Sequence, residues 1–461
     1  MSRRLLLGAF TGAGVPAHGP GLWWDPGAGR IDHDDLGAWT GLAREVEDAG
    51  FDLLFLADAV GSYDVYRGSR ERTLIDGIGI PSNDPSMVAA AIAGATTHLG
   101  LTYTSATLQE HPFNHARKLS TLDHLTGGRA GWNVVTGYAD NASRNFGLDG
   151  LLAHDERYAQ ADEYLDVVYA LWEDSWDDDA LVREADRRVF VDPSRVRRID
   201  HEGRWYRVAG PHLPSPSPQR TPVLFQAGTS STGRGFAARH AEGVFLIAFD
   251  PAGAARHVAD VRARAVAAGR RADDLVFLQG LWFVVGSTEE EARAREAALL
   301  EQVSVEGVLA DLSGKLGIDL GVVDLDTPIR DVRVDGVQGI IDSLKASDPD
   351  GTGTFGDLVH HLLGARIVGT PERIADELER WLDAGVDGIN VMDVPAHGAF
   401  RDFGTHVVPE LRRRGLVPPE PPAGTLRERL FPGRDPRLND RHPARAGRER
   451  RATARTTGAT R

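Results

Sequence analysis

Short apolar runs alternate along this chain with longer stretches of helical periodicity. The runs at 5–10, 52–57 and 99–105 predict the first three strands, and the run at 52–57 is apolar almost throughout, as is typical of a strand buried on both faces of a parallel sheet. The same reasoning predicts further strands at 132–136, 223–228, 243–248, 275–285 and 388–394. Helices are predicted at 36–49, 85–98, 114–125, 154–172, from 231, 252–268, 288–302, 371–384 and 403–414. Eight strands, each with a helical partner, predict an α/β fold of the (β/α)8 TIM-barrel type.

Two segments interrupt this alternation. Residues 173–222 are acidic, then basic, then rich in proline, and residues 303–369 contain Gly- and Asp-rich turns with few clear elements. Both are too long for simple connections, so we expect insertions at the C-terminal face of the barrel, where inserted segments commonly shape a substrate pocket. The expected domain organisation is a barrel over 1–430 followed by a tail at 431–461.

Composition narrows the class of protein. The chain of 461 residues contains no cysteine, which excludes disulfides, thiolate metal sites and thiol nucleophiles. No apolar run has the length of a membrane span, and the short run at 5–10 fits a first barrel strand better than a signal peptide. We therefore expect a cytoplasmic enzyme.

Charge is unevenly distributed. The net charge is −15, yet residues 433–461 hold nine Arg against three acidic residues. This tail lacks hydrophobic periodicity and is predicted to be disordered. The acidic body argues against nucleic acid as the main partner.

Polar residues stand where predicted strands end. Asp58 directly follows the second strand, and Thr104 ends the third, so both are expected at the active-site end of a barrel. Asp58 is equally well interpreted as a turn or cap residue, and threonine is common within strands. His154 and Tyr158 are spaced i, i+4 and share one face at a helix start, where a capping role is the alternative. No further ligand at metal spacing accompanies them, so no metal site is predicted.

A hydroxyl- and glycine-rich turn, 228–235, joins the fifth strand to a helix. Its backbone amides at a helix start are suited to a phosphate, with Ser230 as a candidate ligand. The turn lacks the third glycine and the acidic residue of a dinucleotide fingerprint, so a single phosphate, as in FMN, fits better. An ordinary Ser-capped turn remains the alternative.

The motifs carry a resemblance. They are Phe55-Leu56-Ala57-Asp58, Leu101-Thr102-Tyr103-Thr104, His111-Pro112-Phe113, residues 119–137, His154-Asp155-Glu156-Arg157-Tyr158, Gln226-Ala227-Gly228-Thr229-Ser230 and Leu426-Arg427-Glu428-Arg429-Leu430. In this order and spacing, over about residues 1–430, the chain resembles the nitrilotriacetate monooxygenase component A group of luciferase-like flavin monooxygenases. That group includes dibenzothiophene-sulfone, dimethyl-sulfide and long-chain alkane monooxygenases.

The resemblance implies a barrel that binds reduced FMN through Asp58, Thr104, His154, Tyr158 and Ser230. Asn133 is a weaker candidate beside the flavin ring. Gly137 departs from the group, which often has serine there, and this departure leaves the substrate open.

The activity implied is transfer of one oxygen atom from O2 to a small organic substrate through a flavin peroxide. A separate NAD(P)H-dependent reductase would supply FMNH2, and a homo-oligomer is expected. No catalytic acid or base is assigned. The alternatives are an F420-dependent oxidoreductase of the same superfamily and a non-catalytic flavin-binding barrel.

Overall fold

The eight predicted strands close into a parallel barrel. The computed structural model describes residues 4–15, 20–332, 350–363 and 365–445. The barrel order is β1-β2-β3-β4-β7-β8-β9-β11, with β11 pairing back to β1. These strands span Leu6–Gly12 (β1), Leu53–Ala57 (β2), Gly100–Ala106 (β3), Ala130–Val135 (β4), Val223–Gln226 (β7), Gly243–Leu246 (β8), Val276–Val285 (β9) and Gly388–Met392 (β11). The predicted fold class is confirmed.

Three further strands lie outside the barrel. His201–Glu202 (β5) and Arg207–Val208 (β6) form a small hairpin, and Arg366–Gly369 (β10) pairs with the last four residues of β9. The α-helices are Leu36–Ala49, Glu71–Asp76, Pro85–Ile92, Pro112–Leu125, Asp140–Asn145, His154–Tyr169, Ser231–His240, Pro251–Ala267, Glu289–Gln302, Val305–Leu316, Phe355–Leu358, Pro371–Asp383, Gly398–Asp402, Val408–Arg413 and Leu426–Leu430. In the described part of the chain, none of them is long and apolar enough to cross a membrane.

Local sequence accounts for where these elements start and stop. Asp84 caps helix Pro85–Ile92 by accepting from the Ser86 amide at 2.8 Å, and Pro85 takes the first helical position. Gly127 and Gly128 follow helix Pro112–Leu125 with φ of +64° and +93°, a backbone region that glycine enters without strain. The chain thereby turns directly into β4.

The barrel interior is filled by aromatic and aliphatic side chains at alternate strand positions. Phe10, Phe55, Phe225 and Phe245 pack together there with ring-centroid distances of 4.7 to 6.0 Å. The short helix Leu426–Leu430 closes the N-terminal end, and its two leucines belong to the same cluster. This plug leaves the C-terminal end of the strands as the place for a site.

The described parts of the insertion at 303–369, residues 303–332, 350–363 and 365–369, lie at the C-terminal face, as predicted. The insertion leaves the chain after β9 and helix Glu289–Gln302, and its described side chains join a hydrophobic cluster with Tyr63, Trp282 and Val394. These three residues belong to β9 or to loops that follow strands β2 and β11. Residues 333–349 and 364 lie outside the described residues.

The insertion at 173–222 does not lie at the C-terminal face, and this part of the prediction is wrong. It connects a helix to a strand, so it begins and ends at the opposite face, where Gln219 Nε2 donates to the Ala130 carbonyl at the start of β4. Between these ends it runs along the outside of helix His154–Tyr169, where Glu163 accepts from the Tyr206 amide at 2.8 Å. It supports the helical layer.

The predicted tail begins as folded structure. Leu438, His442 and Ala444 are buried against the barrel, and the His442 ring contacts the His240 carbonyl at 2.9 Å. Arg427 anchors this region through a buried ion pair with Glu242. Residues 431–445 therefore are not disordered, because they carry apolar and hydrogen-bonding groups that fit the barrel surface. The remainder of the tail, 446–461, lies outside the described residues.

Candidate functional site

The predicted site residues lie around one side of the barrel mouth. Asp58 follows β2, Thr104 is on β3, and Ser230 follows β7, while His154 and Tyr158 begin the helix between β4 and the insertion. Because β2, β3, β4 and β7 are consecutive neighbours in the sheet, these side chains form an arc along adjacent strand ends. The structure divides them into three groups.

The first group is a polar cradle at the start of helix Ser231–His240, formed by His154, Tyr158, Ser230 and Gly233. Ser230 caps this helix, and its Oγ accepts from the Gly233 amide at 3.0 Å. His154 Nε2 lies 3.2 Å from the same Oγ, and the rings of His154 and Tyr158 are 5.2 Å apart. These residues, distant in sequence, converge on one helix N-terminus, which favours an anion.

Two glycines make the cradle possible. A Cβ at Gly233 would lie 2.7 Å from the Tyr158 hydroxyl, and a Cβ at Gly228 would lie 2.8 Å from the Gly233 Cα. Burial raises the pKa of Tyr158, whose hydroxyl is hydrogen-bonded with Ser230, Gln226 and Thr136. Tyr158 therefore stays a neutral donor at physiological pH.

Charged groups flank the cradle. His154 Nδ1 lies 2.8 Å from the exposed Asp155 carboxylate, whose pKa is lowered by hydrogen bonds from His154 and Thr232. Arg264 reaches Ser231 from helix Pro251–Ala267, with NH1 at 3.3 Å from its carbonyl. The Arg264 guanidinium thus lies beside the helix start, where a positive charge would stabilise a bound phosphate.

The second group lies inside the barrel. Asn133 Nδ2 donates to Thr104 Oγ1 at 3.0 Å, and both side chains are buried. Asn133 Oδ1 has no hydrogen-bond partner, although it is buried. A buried acceptor without a partner is costly, which indicates that a ligand or water supplies a donor there.

The third group contains Asp58. Gln109 Nε2 donates to Asp58 Oδ2 at 2.9 Å. Burial raises the pKa of the Asp58 carboxyl to about 6, against the opposing effect of the Gln109 hydrogen bond. The Asp58 carboxyl therefore gains or loses its proton nearer to neutral pH than an ordinary aspartate does.

Aromatic residues of the mouth also meet. The hydroxyls of Tyr63 and Tyr138 are 2.7 Å apart, and Lys315 of the insertion donates to Asp311 nearby at 2.6 Å.

Gly137 has a φ of +76°, and a Cβ there would lie 2.7 Å from Leu108 Cδ2. A side chain at this position would have to adopt the left-handed backbone region and displace Leu108. Among the residues that the structure describes, no group of His, Asp and Glu side chains is arranged to hold a metal ion.

The arrangement agrees with known proteins. Residues 16–388 match the luciferase-like monooxygenase family. The dimethyl-sulfide monooxygenase of Hyphomicrobium sulfonivorans is 42% identical over 449 residues, covering 96% of this chain and 94% of that enzyme. A long-chain alkane monooxygenase structure has a TM-score of 0.88 at 42% identity, covering 97% of this chain and 100% of that one. A riboflavin lyase, solved with modified FMN and riboflavin, has a TM-score of 0.87 at 38% identity, covering 97% and 99% of the two chains.

This chain belongs to the luciferase-like monooxygenase family. The resemblance inferred from its motifs is confirmed, because dimethyl-sulfide and long-chain alkane monooxygenases are among its relatives. The protein is a flavin-dependent monooxygenase. Its structure fits a flavin, since a polar cradle at a helix N-terminus, which favours an anion, and a buried acceptor without a partner lie along one arc of strand ends.

Sequence reasoning did not single out two glutamines of this monooxygenase. Gln226 Oε1 accepts from the Gly228 amide at 2.7 Å and shapes the cradle turn, and Gln109 holds Asp58. Gln226 stood inside a quoted motif, so its position before the Gly-rich turn was an available signal. No sequence signal pointed to Gln109, because its partner Asp58 lies 51 positions away in the chain.

Proposed function

We propose that this protein is an FMNH2-dependent, two-component monooxygenase that transfers one oxygen atom from O2 to a small organic substrate. The observation that carries the proposal is the convergence of His154, Tyr158 and Ser230 on one helix N-terminus. A cradle of this size suits one phosphate, and FMN carries one. The neighbouring polar groups on β2, β3 and β4 would then meet the rest of the same molecule.

Each site residue has a role in this proposal. Ser230, His154 and Tyr158 bind the phosphate, with the first amides of helix Ser231–His240. Thr104 and Asp58 lie toward the ribityl chain and the isoalloxazine ring. Thr104 keeps a hydroxyl hydrogen to donate, because its oxygen accepts from Asn133.

Bound reduced flavin supplies the electrons that activate O2. The protein's part is to orient the flavin and keep water from the reacting face. The buried aromatic side chains of the mouth serve the second task, among them Tyr63, which is 8% exposed. Asp58 supplies a carboxyl that gains or loses a proton near neutral pH.

The source of the electrons is proposed to be a separate NAD(P)H-dependent flavin reductase. The turn at 228–235 lacks the third glycine and acidic residue of a dinucleotide fingerprint, so it is not expected to bind the nicotinamide cofactor. A homo-oligomer is proposed from the resemblance alone.

The test has two steps. First, affinity for photoreduced FMN is measured without oxygen, and wild type is compared with Ser230→Ala. We expect tight binding that weakens in the variant. Second, 18O2 is admitted with sulfides, sulfones or alkanes as substrates, and one labelled oxygen atom is expected in a product.

Three results would count against the proposal. Tight F420 binding without affinity for FMNH2 would favour an F420-dependent oxidoreductase. Tight flavin binding without oxidation of any compound in a broad screen would favour a non-catalytic flavin-binding barrel. Unchanged flavin affinity in both Ser230→Ala and Asp58→Ala would remove the proposed site.

A further inference from the structure

The Gln109 side chain is fixed by its surroundings in one orientation. Its Oε1 accepts from the Ala106 amide and from Ser105 Oγ, the latter at 2.9 Å. The backbone N–H of Gln109 also donates to the Ala106 carbonyl at 2.9 Å, which closes a tight turn after β3. A backbone N–H can only donate, so the oxygen of Gln109 must face Ala106 and its NH2 group must face Asp58.

Gln109 therefore gives Asp58 a donor that cannot rotate away. The contact joins Nε2 to Asp58 Oδ2 at 2.9 Å and links the loop after β2 to the loop after β3. The other groups that act on this carboxyl are the Ala59 amide, which donates to it, and Asp84 and Tyr138. Asp84 is a like charge, so Gln109 is the side-chain donor that opposes both repulsion and burial.

We propose that Gln109 is a positioning residue that holds Asp58 as an ionised acceptor facing the flavin, and thereby sets the pH range of flavin binding. This inference rests on the proposed function, because it assigns a role within the same site. It concerns Gln109 in particular, which acts through Asp58.

The substitution Gln109→Glu separates this role from a merely structural one. The glutamate oxygens still accept from the Ala106 amide and Ser105 Oγ, so a residue needed only for the turn would tolerate the change. Its second oxygen would instead place an unprotonated, like-charged group against Asp58. When two carboxylates share a site, the pKa of one of them is strongly raised.

FMN affinity, measured by fluorescence quenching between pH 5 and 8, gives the first readout. We expect wild type to bind more weakly as pH falls through about 6, the value to which burial raises the pKa of Asp58. Gln109→Glu should shift this midpoint upward by about one unit or more, and Gln109→Ala by less. Asp58→Asn should lose the part of the dependence that Asp58 causes and keep only the part due to the FMN phosphate, whose second pKa is about 6. Riboflavin, which has no phosphate, should then show no dependence in Asp58→Asn over this range.

A second readout needs no flavin. Each Gln109 form is compared with its Asp58→Asn counterpart by thermal unfolding from pH 4.5 to 8. Within each pair, the difference in unfolding temperature between the form that keeps Asp58 and its Asp58→Asn variant should change with pH around the pKa of Asp58. This change should therefore occur at higher pH when residue 109 is glutamate than when it is glutamine. The same midpoint in both pairs would overturn the inference, even if FMN binds as proposed. A shifted midpoint in a protein that binds neither FMN nor FMNH2 would support the Gln109–Asp58 coupling and refute the proposed function.

Discussion

The two ends of the proposed flavin site differ in how they treat charge. At the cradle, Ser230 and His154 are partly open to solvent and offer hydroxyl, imidazole and backbone donors. At the other end, Asp58 is a half-buried carboxyl whose pKa burial raises to about 6. The first end suits a group that stays charged at every physiological pH, and the second suits a group whose proton can move.

This difference indicates a division of labour. Phosphate binding supplies affinity at a distance from the reacting ring, and binding energy from such a remote group can be used to orient the reactive part. The Asp58 end contributes less affinity and more control over protonation. Changes at the cradle should therefore alter affinity at all pH values, whereas changes at Asp58 should alter pH dependence.

The largest effect is expected from Gly233→Ala. The added Cβ would lie 2.7 Å from the Tyr158 hydroxyl and displace it from the cradle. Losing hydrogen bonds to a charged phosphate costs about 1.5–3 kcal/mol, so FMN affinity should fall by about ten- to a hundredfold. Isothermal titration with FMN measures this.

The matched control is Gly235→Ala. A Cβ at Gly235 would meet no atom closer than 3.8 Å, so the same substitution two residues along should leave affinity within about twofold. Riboflavin, which lacks the phosphate, should lose less affinity than FMN in Gly233→Ala. Equal losses for FMN and riboflavin would mean that the cradle does not bind the phosphate.

The second prediction concerns stability at the Asp58 end. The pKa of folded Asp58 is raised to about 6 by burial from its usual 3.8, so the folded protein holds this proton more tightly than the unfolded chain. Stability is therefore lost as pH rises from about 4 to about 6. Asp58→Asn removes that loss and keeps an oxygen for Gln109. A shift from 3.8 to about 6 corresponds to about 3 kcal/mol at most, and solvent screening of the half-buried carboxyl reduces this value. Urea unfolding should therefore show the variant more stable than wild type by about 1–2 kcal/mol at pH 8, with no gain at pH 4.

Asp186→Asn serves as the control, since Asp186 is an exposed carboxylate on the segment 173–222. Its stability difference from wild type, measured at the same pH values, gives the baseline for replacing a surface carboxylate by an amide. A gain in Asp58→Asn that is equal at pH 4 and pH 8 would show that Asp58 is not protonated more easily in the folded state.

The third prediction concerns Ser230→Ala. It removes a helix cap, which costs about 1 kcal/mol of stability, and a phosphate ligand, which should weaken FMN binding about tenfold. Ser304 caps helix Val305–Leu316 in the same way, accepting from the Gly307 amide at 3.0 Å. Ser304→Ala should therefore cost similar stability without the loss of affinity. Parallel affinity losses in the two variants would assign the effect to helix capping alone.

The barrel was predictable because its physical signal is local. A strand buried on both faces is mainly apolar, and the eight barrel strands show this pattern, with the polar exceptions concentrated in β3. Strand β10, Arg366–Gly369, was missed because it pairs with only one end of β9 and begins with an ion-paired arginine. The segment 173–222 was misplaced because its composition resembles that of a mouth insertion. Its position between a helix and a strand fixes the face on which it begins and ends.

The site was predictable only in part, for a related reason. Ser230 and His154 stand at helix starts, and a helix start can be read from sequence. The contact between Gln109 and Asp58 depends on how the loops after β2 and β3 meet, which strand registers decide. The 431–445 segment gave no periodic signal, since it is held by scattered buried side chains such as Leu438 and His442.

The smallest effect is expected from Asp155→Asn, at the solvent edge of the cradle. Asp155 accepts from His154 Nδ1 and from Thr232 Oγ1, both at 2.8 Å, and it is exposed. Exposed pairs contribute little, and the negative charge lies on the same side as the proposed phosphate, so its removal should change FMN affinity by less than about threefold. Titration with FMN at low and high salt measures this, because any repulsion from Asp155 should be screened at high salt. A tenfold loss that persists at high salt would show that the orientation of His154, fixed by Asp155, is required for binding. Phosphate binding at the cradle would then depend on Asp155 holding the His154 ring, just as the opposite end is proposed to depend on Gln109 holding Asp58. The two ends would therefore share a positioning mechanism, although they differ in how they treat charge.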